Sequence, residues 1–165
     1  MNRRRVGIWL IGALGGVGTT VALGLAALRR GVTSNVGLTT ELPMFAALDL
    51  DAPADFCVGG HDIRRTSFQR TVRELQQRSR VFPPELVEPC QHQLAEWNEN
   101  VRPGTVLHSG PTISRLADLP EVQTAETPRA AIGRIQADLQ HFREKHRLDQ
   151  LVVVNVASTE PPFPL

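Results

Sequence analysis

Lysine is almost missing from this chain of 165 residues. Lys145 is the single lysine among 18 basic residues, and the others are arginines. Many mechanisms use a lysine as a movable proton donor or as a phosphate ligand, because its compact charge sits on a long, flexible stem. Reactions that need such a lysine before position 145 are therefore excluded.

Cysteine and net charge are also scarce. The two cysteines, Cys57 and Cys90, lie far apart, so neither a disulfide framework nor a cysteine metal site is expected, and a reducing compartment suits them. The formal net charge of +1 gives no overall field that would attract nucleic acid. His61, His92 and His108 lack the spacing of metal ligands, and we interpret them as ordinary loop and surface histidines.

Charge is absent from residues 6–28, and arginines flank this stretch on both sides. Its length and its flanks are typical of a membrane span or a signal sequence. The stretch contains six glycines, four of them within seven residues, which would weaken a continuous helix. These glycines are Gly7, Gly12, Gly15, Gly16, Gly18 and Gly24. We therefore predict no membrane span here.

The N-terminal residues have the pattern of a strand, a glycine turn, a helix and a second strand. Val6–Ile11 is a short apolar run that ends at glycine, which predicts a buried strand. Residues 19–30 predict a helix that Gly31 ends, and residues 35–39 predict a second strand. This order is typical of a βαβ unit with a parallel sheet. We expect the helix to bury Val21, Leu25 and Leu28.

The rest of the chain alternates between helix and strand patterns. The predicted helices lie at 66–80, 83–97 and 127–147, and the predicted strands at 55–58, 104–109 and 151–156. The first of these strands is expected to break at the glycine pair 59–60, and the last, apolar almost throughout, is expected to be central. The sequence thus predicts an α/β fold, a Rossmann-like parallel sheet with flanking helices.

The turn between the first strand and the first helix reads GALGGVGTT, a variant of the dinucleotide-binding fingerprint. Gly12 would allow a tight turn, the middle glycines would let main-chain amides approach a pyrophosphate, and Gly18 would let the helix pack closely. The start of the helix would then supply free N–H groups and a positive dipole end. The predicted cofactor-binding residues of the turn are Gly12, Ala13, Leu14, Gly15, Gly16, Val17 and Gly18.

The same glycines also suggest a second interpretation, the phosphate loop of an ATPase. The segment GGVGTT resembles the GGVGKTT phosphate loop of partitioning ATPases without its lysine. That lysine neutralises the β- and γ-phosphates, and no amide replaces its charge. Nucleotide hydrolysis is therefore not expected.

A dinucleotide also needs an acidic partner for its adenine ribose. Glu41 lies 23 residues after Gly18, near the usual end of the second strand, and Asp62 follows the glycine pair 59–60. Spacing alone leaves both carboxylates open as candidates.

Four segments together identify a family. They are VGIWLIGALGGVGTT (6–20), GLTTELP (37–43), GGHDIR (59–64) and VVVNVASTEP (152–161). In order and content they resemble the inositol-3-phosphate synthase family, especially its shorter archaeal-type members. The resemblance implies NAD as cofactor and conversion of D-glucose 6-phosphate to 1D-myo-inositol 3-phosphate by oxidation, enolisation, aldol cyclisation and reduction. It also implies a cytoplasmic homotetramer that serves inositol and phospholipid biosynthesis.

The resemblance also assigns residues. It places the pyrophosphate at Gly12 to Gly18 and the adenosine ribose at Asp62, which shifts the preference away from Glu41. It places Ala157, Ser158 and Thr159 along the cofactor site, although eukaryotic members usually have Asn at the position of Ser158.

The family's catalytic and substrate-binding lysines belong to a later domain that this sequence lacks. Lys145 is expected to be a solvated charge on a helix, and Arg64 and Arg65 a solvated pair. We assign no catalytic residue, and we expect residues 1–165 to be the NAD-binding domain of a larger two-domain enzyme. This part alone would bind the cofactor without turning over glucose 6-phosphate. The alternative function is a stand-alone, non-catalytic dinucleotide-binding module.

Overall fold

The computed structural model describes residues 4–122 and 126–158. Within them, four strands form one parallel sheet in the order β3-β2-β1-β4. The strands are β1 (Val6–Ile11), β2 (Phe56–Asp62), β3 (Val101–Pro103) and β4 (Gln150–Asn155). The helices are α1 (Gly16–Arg30), α2 (Phe68–Ser79), α3 (Pro84–Val87), α4 (Gln91–Asn98), α5 (Pro111–Leu116) and α6 (Pro128–His146). The predicted α/β fold is confirmed.

The order of the strands determines where a ligand can bind. From β1 the chain passes through α1 to β2 and then β3, and it returns through α6 to place β4 on the other side of β1. Ile11 is in register with His61 of β2 and with Asn155 of β4, so the three strands end at the same edge. The chain leaves β1 toward β2, whereas β4 lies on the opposite side of β1, and such a switch point opens a crevice at the carboxyl ends of the strands.

The two faces of the sheet carry different helices. On one face α1 packs against α2 and α4, with Leu10, Leu23 and Val58 in the shared core. On the other face, Trp9 of β1 packs against Phe142 of α6, with ring centroids 5.1 Å apart. Across residues 4–122 and 126–158, no helix is both long and apolar enough to cross a bilayer.

The first helix differs from its prediction in start and in buried face. It begins at Gly16, three residues early, and Gly31 ends it in a left-handed conformation as expected. Its buried side consists of Gly18, Thr19, Ala22, Leu23, Ala26 and Ala27. Val21 is exposed and Leu25 is partly buried, so the predicted face was wrong for Val21. Small residues face the sheet because they let the helix axis approach it closely.

The predicted second strand at 35–39 was wrong. Residues 31–55 form a connection with three short 3-10 turns, at Thr39–Glu41, Pro43–Phe45 and Pro53–Asp55. The second strand is β2, which runs straight through the glycine pair that was expected to break it. A Cβ on Gly60 would lie within 3.0 Å of the Leu10 carbonyl oxygen, so glycine here reflects close packing of two strands.

Of the two later strands, the first was misplaced and the second was found close to its predicted position. The strand expected at 104–109 is instead β3, Val101–Pro103, and the residues after it are irregular. The strand expected at 151–156 is β4, but in the described sheet it lies at the edge, with Val152, Val153 and Val154 exposed. The helix predictions at 66–80 and 127–147 are confirmed by α2 and α6, and 83–97 is covered by α3, a 3-10 turn and α4.

Candidate functional site

A cleft of about 500 Å³ opens at the carboxyl edge of the sheet, at the switch point between β1 and β4. Three segments form its floor: the glycine turn after β1, the end of β2, and the residues after β4. The residues lining it from these three segments are Gly12, Gly15, Gly16, Val17, His61, Asp62, Val156, Ala157 and Ser158. Its outer wall is largely apolar and includes Ile63, Ile113, Leu116 and Ile135. A long ligand with apolar and charged parts suits such a cleft.

Two glycines of the turn are required by its geometry. Gly12 has φ +85°, and a Cβ there would lie 2.8 Å from the Cα of Ala157. A Cβ on Gly18 would lie within 3.0 Å of the Ala13 carbonyl oxygen, so side chains at either position would push the turn apart. Gly12 therefore makes the tight turn, and Gly18 lets α1 start directly against it.

The start of α1 offers free donors to the cleft. Gly15 is its N-cap and supplies no side-chain acceptor, and the first turn contains no acidic residue. Within residues 4–122 and 126–158, the N–H groups of Gly16, Val17 and Gly18 have no hydrogen-bond acceptor. Gly16 is exposed, and a Cβ there would meet no atom closer than 4.0 Å. These open amides and the helix dipole fit an anionic group such as a pyrophosphate.

Asp62 ends β2 beneath the turn and is 4% exposed. Its Oδ2 accepts the N–H of Leu14 at 2.7 Å, and its Oδ1 accepts the N–H groups of Ile63 at 2.9 Å and Arg64 at 3.1 Å. Oδ2 accepts one N–H group, and a carboxylate oxygen can accept about two hydrogen bonds. Oδ2 can therefore accept one more, from a group in the cleft. Asp62 thus holds the turn, and it also lines the cleft.

Arg64 is not the solvated side chain that the sequence suggested. Its guanidinium donates to the carbonyl oxygen of Leu14 and, through Nε, to Asp62 Oδ1 at 3.4 Å. The Thr71 hydroxyl donates to the same Leu14 oxygen at 3.1 Å. Leu14 is therefore held through both its N–H and its carbonyl group. The main-chain N–H of Arg65 donates to Asp118.

His61 is buried, with 3% of its surface exposed, so its interpretation as a surface histidine was wrong. Trp9 Nε1 donates to His61 Nδ1 at 2.9 Å, and His61 Nε2 lies 3.0 Å from Asp138 Oδ2. Because Nδ1 accepts, the ring proton belongs on Nε2, where it donates to Asp138. Burial lowers the pKa of His61 below its ordinary value of 6.5, although Asp138 acts in the opposite direction.

Other candidates lie away from the cleft. Glu41 is exposed in a 3-10 turn and accepts from Asn35 Nδ2 at 3.2 Å. Lys145 is exposed on α6, as predicted, and its Nζ donates to Asn100 Oδ1 at 3.1 Å, just before β3; neither residue lines the cleft. In the described part of the chain, no group of three or more His, Cys, Asp and Glu side chains could hold a metal ion.

The segment after β4 is described only in part. Ala157 and Ser158 line the cleft, and the N–H of Ala157 donates to Asn155 Oδ1 at 3.1 Å. Thr159, the third residue predicted in this segment, lies outside the described residues.

Comparisons with known proteins identify the family of this chain. A family model of NAD-binding domains, described as myo-inositol-1-phosphate synthase, matches residues 6–165. Inositol-3-phosphate synthase of Trypanosoma brucei brucei is 24% identical over 95% of this chain, and that of Dictyostelium discoideum is 26% identical over 94%. The chain spans 34% of the length of each of these curated relatives.

Solved structures share the fold. Inositol-3-phosphate synthase of Caenorhabditis elegans matches with a TM-score of 0.70 at 19% identity, over 96% of this chain and 35% of that one. A myo-inositol-1-phosphate synthase-related protein of Thermotoga maritima matches with a TM-score of 0.53 at 21% identity, over 97% and 37%. The resemblance stated from the sequence is confirmed at the level of the family, while the archaeal-type subgroup stays a prediction. Because the family model covers almost every residue, this chain belongs to the NAD-binding family of myo-inositol-1-phosphate synthase, and its cofactor is NAD.

Proposed function

We propose that residues 1–165 form the NAD-binding domain of an inositol-3-phosphate synthase, which converts D-glucose 6-phosphate to 1D-myo-inositol 3-phosphate. When bound, NAD would accept a hydride from the substrate and return it later in the same turnover. The observation that carries this proposal is the set of unpaired amides at the start of α1, where Gly16 and Val17 line the cleft at the switch point.

The residues of the cleft suit different parts of NAD. The N–H groups of Gly16, Val17 and Gly18 would bind the pyrophosphate, because unpaired amides at a helix start favour an anion. Asp62 would accept a ribose hydroxyl on Oδ2, which has one donor at present. A carboxylate there also disfavours the 2′-phosphate of NADP by like-charge repulsion. Ala157 and Ser158 border the cleft on the side of β4.

The chemistry on glucose 6-phosphate needs groups beyond this cleft. Enolisation requires a positioned acid or base and donors that stabilise an oxyanion. Lys145 donates to Asn100 and does not line the cleft, so it does not supply them. We therefore propose that the catalytic lysines, the tetrameric assembly and the cytoplasmic location expected from the family belong to the full-length protein, and that this chain alone is inactive.

The variant Gly16→Asp tests the anion site. A side chain fits at Gly16 without a clash, and an acidic residue in the first turn of a helix stabilises it. The new carboxylate would repel the pyrophosphate, and we expect NAD affinity, measured by calorimetry on the 165-residue chain, to fall at least about tenfold. Gly24→Asp is the matched control, since it adds the same charge to the same helix in open space.

The outcomes separate the parts of the proposal. Unchanged NAD binding in Gly16→Asp would place the pyrophosphate elsewhere and contradict the site. Formation of inositol phosphate from glucose 6-phosphate by the chain alone would contradict the assignment of catalysis to a further domain. Binding of NAD by a naturally complete 165-residue protein without turnover would favour the non-catalytic module.

A further inference from the structure

We infer that His61 is a positioning residue for the cofactor turn, and that binding of a proton to its imidazole disturbs the turn and weakens NAD binding. The inference rests on the proposed function in one respect, the binding of the pyrophosphate at the start of α1. It concerns a residue whose side chain bonds to Trp9 of β1 and Asp138 of α6, and whose main chain bonds to the turn.

The main chain of His61 supports the first residues of the turn. Its carbonyl oxygen accepts the N–H of Gly12 at 2.9 Å and the N–H of Ala13 at 3.1 Å. Both amides lie just after β1, where Gly12 adopts its left-handed conformation and the turn begins. A displacement of the His61 peptide therefore moves the beginning of the turn, while Asp62 holds its middle through Leu14.

The side chain of His61 is fixed from two sides. The indole of Trp9 donates to Nδ1 and crosses the imidazole edge-on, with centroids 4.9 Å apart and planes at 74°. Asp138 of α6 accepts from Nε2 at 3.0 Å. One neutral tautomer satisfies both contacts at once. A second proton on Nδ1 would face the Trp9 N–H at 2.9 Å, donor against donor, and this bond would be lost.

The charges around the imidazole are few and opposed. Asp138 favours the cation, and its carboxylate is partly exposed, at 21%. Arg134 on the same helix and Arg102 on β3 disfavour the cation, and burial disfavours it most. Asp62, the next residue of β2, is engaged with Leu14 and Arg64 on the other side of the strand. This environment therefore favours the neutral imidazole over the cation.

The expected consequence is an acid limit on cofactor binding. If only the form with neutral His61 presents the turn correctly, the apparent Kd for NAD rises about tenfold one pH unit below the His61 midpoint. A residue that merely fills space would lower affinity by the same factor at every pH. The position of the midpoint is thus the informative quantity.

Two substitutions should move that midpoint in opposite directions. Trp9→Phe removes the opposing donor and keeps an aromatic ring against Phe142, so His61 should take up its proton at higher pH. Asp138→Asn keeps an acceptor for Nε2 and removes the negative charge, so the midpoint should move to lower pH. NMR on the chain without NAD would follow the His61 ring and the Gly12 and Ala13 amides, and calorimetry would follow NAD affinity across the same pH range.

His146→Gln is the control, because burial also lowers the pKa of His146 and it could titrate in the same range. We expect it to leave the midpoint and the amide shifts in place. Amides that stay constant while His61 titrates, or midpoints that move the same way in both variants, would overturn the inference. If Trp9→Phe does not fold, a midpoint for Asp138→Asn that is not lowered would overturn it alone. Amides that titrate as expected in a chain that binds NAD at no pH would support the coupling and contradict the proposed function instead.

Discussion

Asp62 Oδ2 accepts the main-chain N–H of Leu14 at 2.7 Å, although 48 residues separate them. This bond ties the end of β2 to the middle of the glycine turn. Asp62 Oδ1 receives two further main-chain N–H groups, so each oxygen of the buried carboxylate has at least one main-chain donor. The same residue that would bind the ribose thus also shapes the turn that would bind the pyrophosphate.

Asp62→Asn should destabilise the fold and weaken NAD binding together. The amide nitrogen would point its own N–H groups at main-chain donors, which leaves buried donors unpaired. We expect the free energy of unfolding to fall by about 2–3 kcal/mol, measured in urea. Asp51→Asn, which removes a partly exposed ion pair with Arg4, should cost less than about 1 kcal/mol. Equal losses in the two variants would contradict the role assigned to Asp62.

Two glycines of α1 should respond to alanine with opposite signs. Gly18→Ala places a Cβ against the Ala13 carbonyl oxygen and should cost about 1–3 kcal/mol of stability, with loss of NAD binding. Gly24→Ala meets no atom within 4 Å and should add about 0.5–1 kcal/mol by reducing backbone freedom in the unfolded chain. Thermal unfolding of both variants measures this. A stable, NAD-binding Gly18→Ala would show that α1 need not start against the turn.

Replacing each of two buried threonines with valine should change the stability in opposite directions. The Thr19 hydroxyl is fully buried and has no hydrogen-bond partner in the described part of the chain. Thr19→Val removes this unpaired group at nearly the same volume and should stabilise the protein by about 1 kcal/mol. Thr71→Val removes a hydroxyl that donates to Leu14 at 3.1 Å and should destabilise it by about 1 kcal/mol. Urea unfolding distinguishes them, and a loss of stability in Thr19→Val would mean that its hydroxyl is satisfied.

Neither cysteine should react while the protein is folded. Burial raises the pKa of Cys57 to about 11, so about one molecule in a thousand carries its thiolate at pH 8. Burial also raises the pKa of Cys90, which is fully buried between α3 and α4. Iodoacetamide at pH 8 should label both thiols in urea and leave them largely unmodified in buffer. Rapid labelling of Cys57 in buffer would show that the start of β2 opens to solvent.

Local signals explain which parts of the fold could be predicted. The glycine turn, the left-handed Gly31 and the Thr127 cap of α6 follow from a few neighbouring residues, and the structure has each of them. The glycine pair in β2 looked like a break, because its cause is the Leu10 main chain, about 50 residues earlier in the sequence. A pattern within one strand cannot reveal which atoms lie on the neighbouring strand.

The cleft was predictable at the turn and at Asp62, but not at His61. Spacing and the GGHDIR segment indicated Asp62 because the end of β2 is where the fold requires an acid. His61 depends on Trp9 and Asp138, which lie 52 and 77 residues away and share no motif with it. Arg64 likewise turns inward to Leu14 because the turn happens to end within its reach.

The stability of the chain should fall as the pH drops below about 6.5. Burial lowers the pKa values of His61 and His146 in the folded protein below their ordinary value of 6.5, which they regain on unfolding. In that range the unfolded chain binds more protons than the folded one, so acid favours unfolding. The stabilisation from the neutral histidines is fully present above about pH 6.5. Below that pH, the free energy of unfolding falls by at most about 1.4 kcal/mol per pH unit for each histidine whose pKa differs between the folded and unfolded chain. Urea unfolding midpoints from pH 8 to 5.5 measure this pH dependence. His146→Gln should remove the contribution of His146, and Asp138→Asn should make the contribution of His61 steeper or extend it to lower pH. A stability that is constant or rises toward pH 5.5 would contradict the lowered pKa values of both imidazoles.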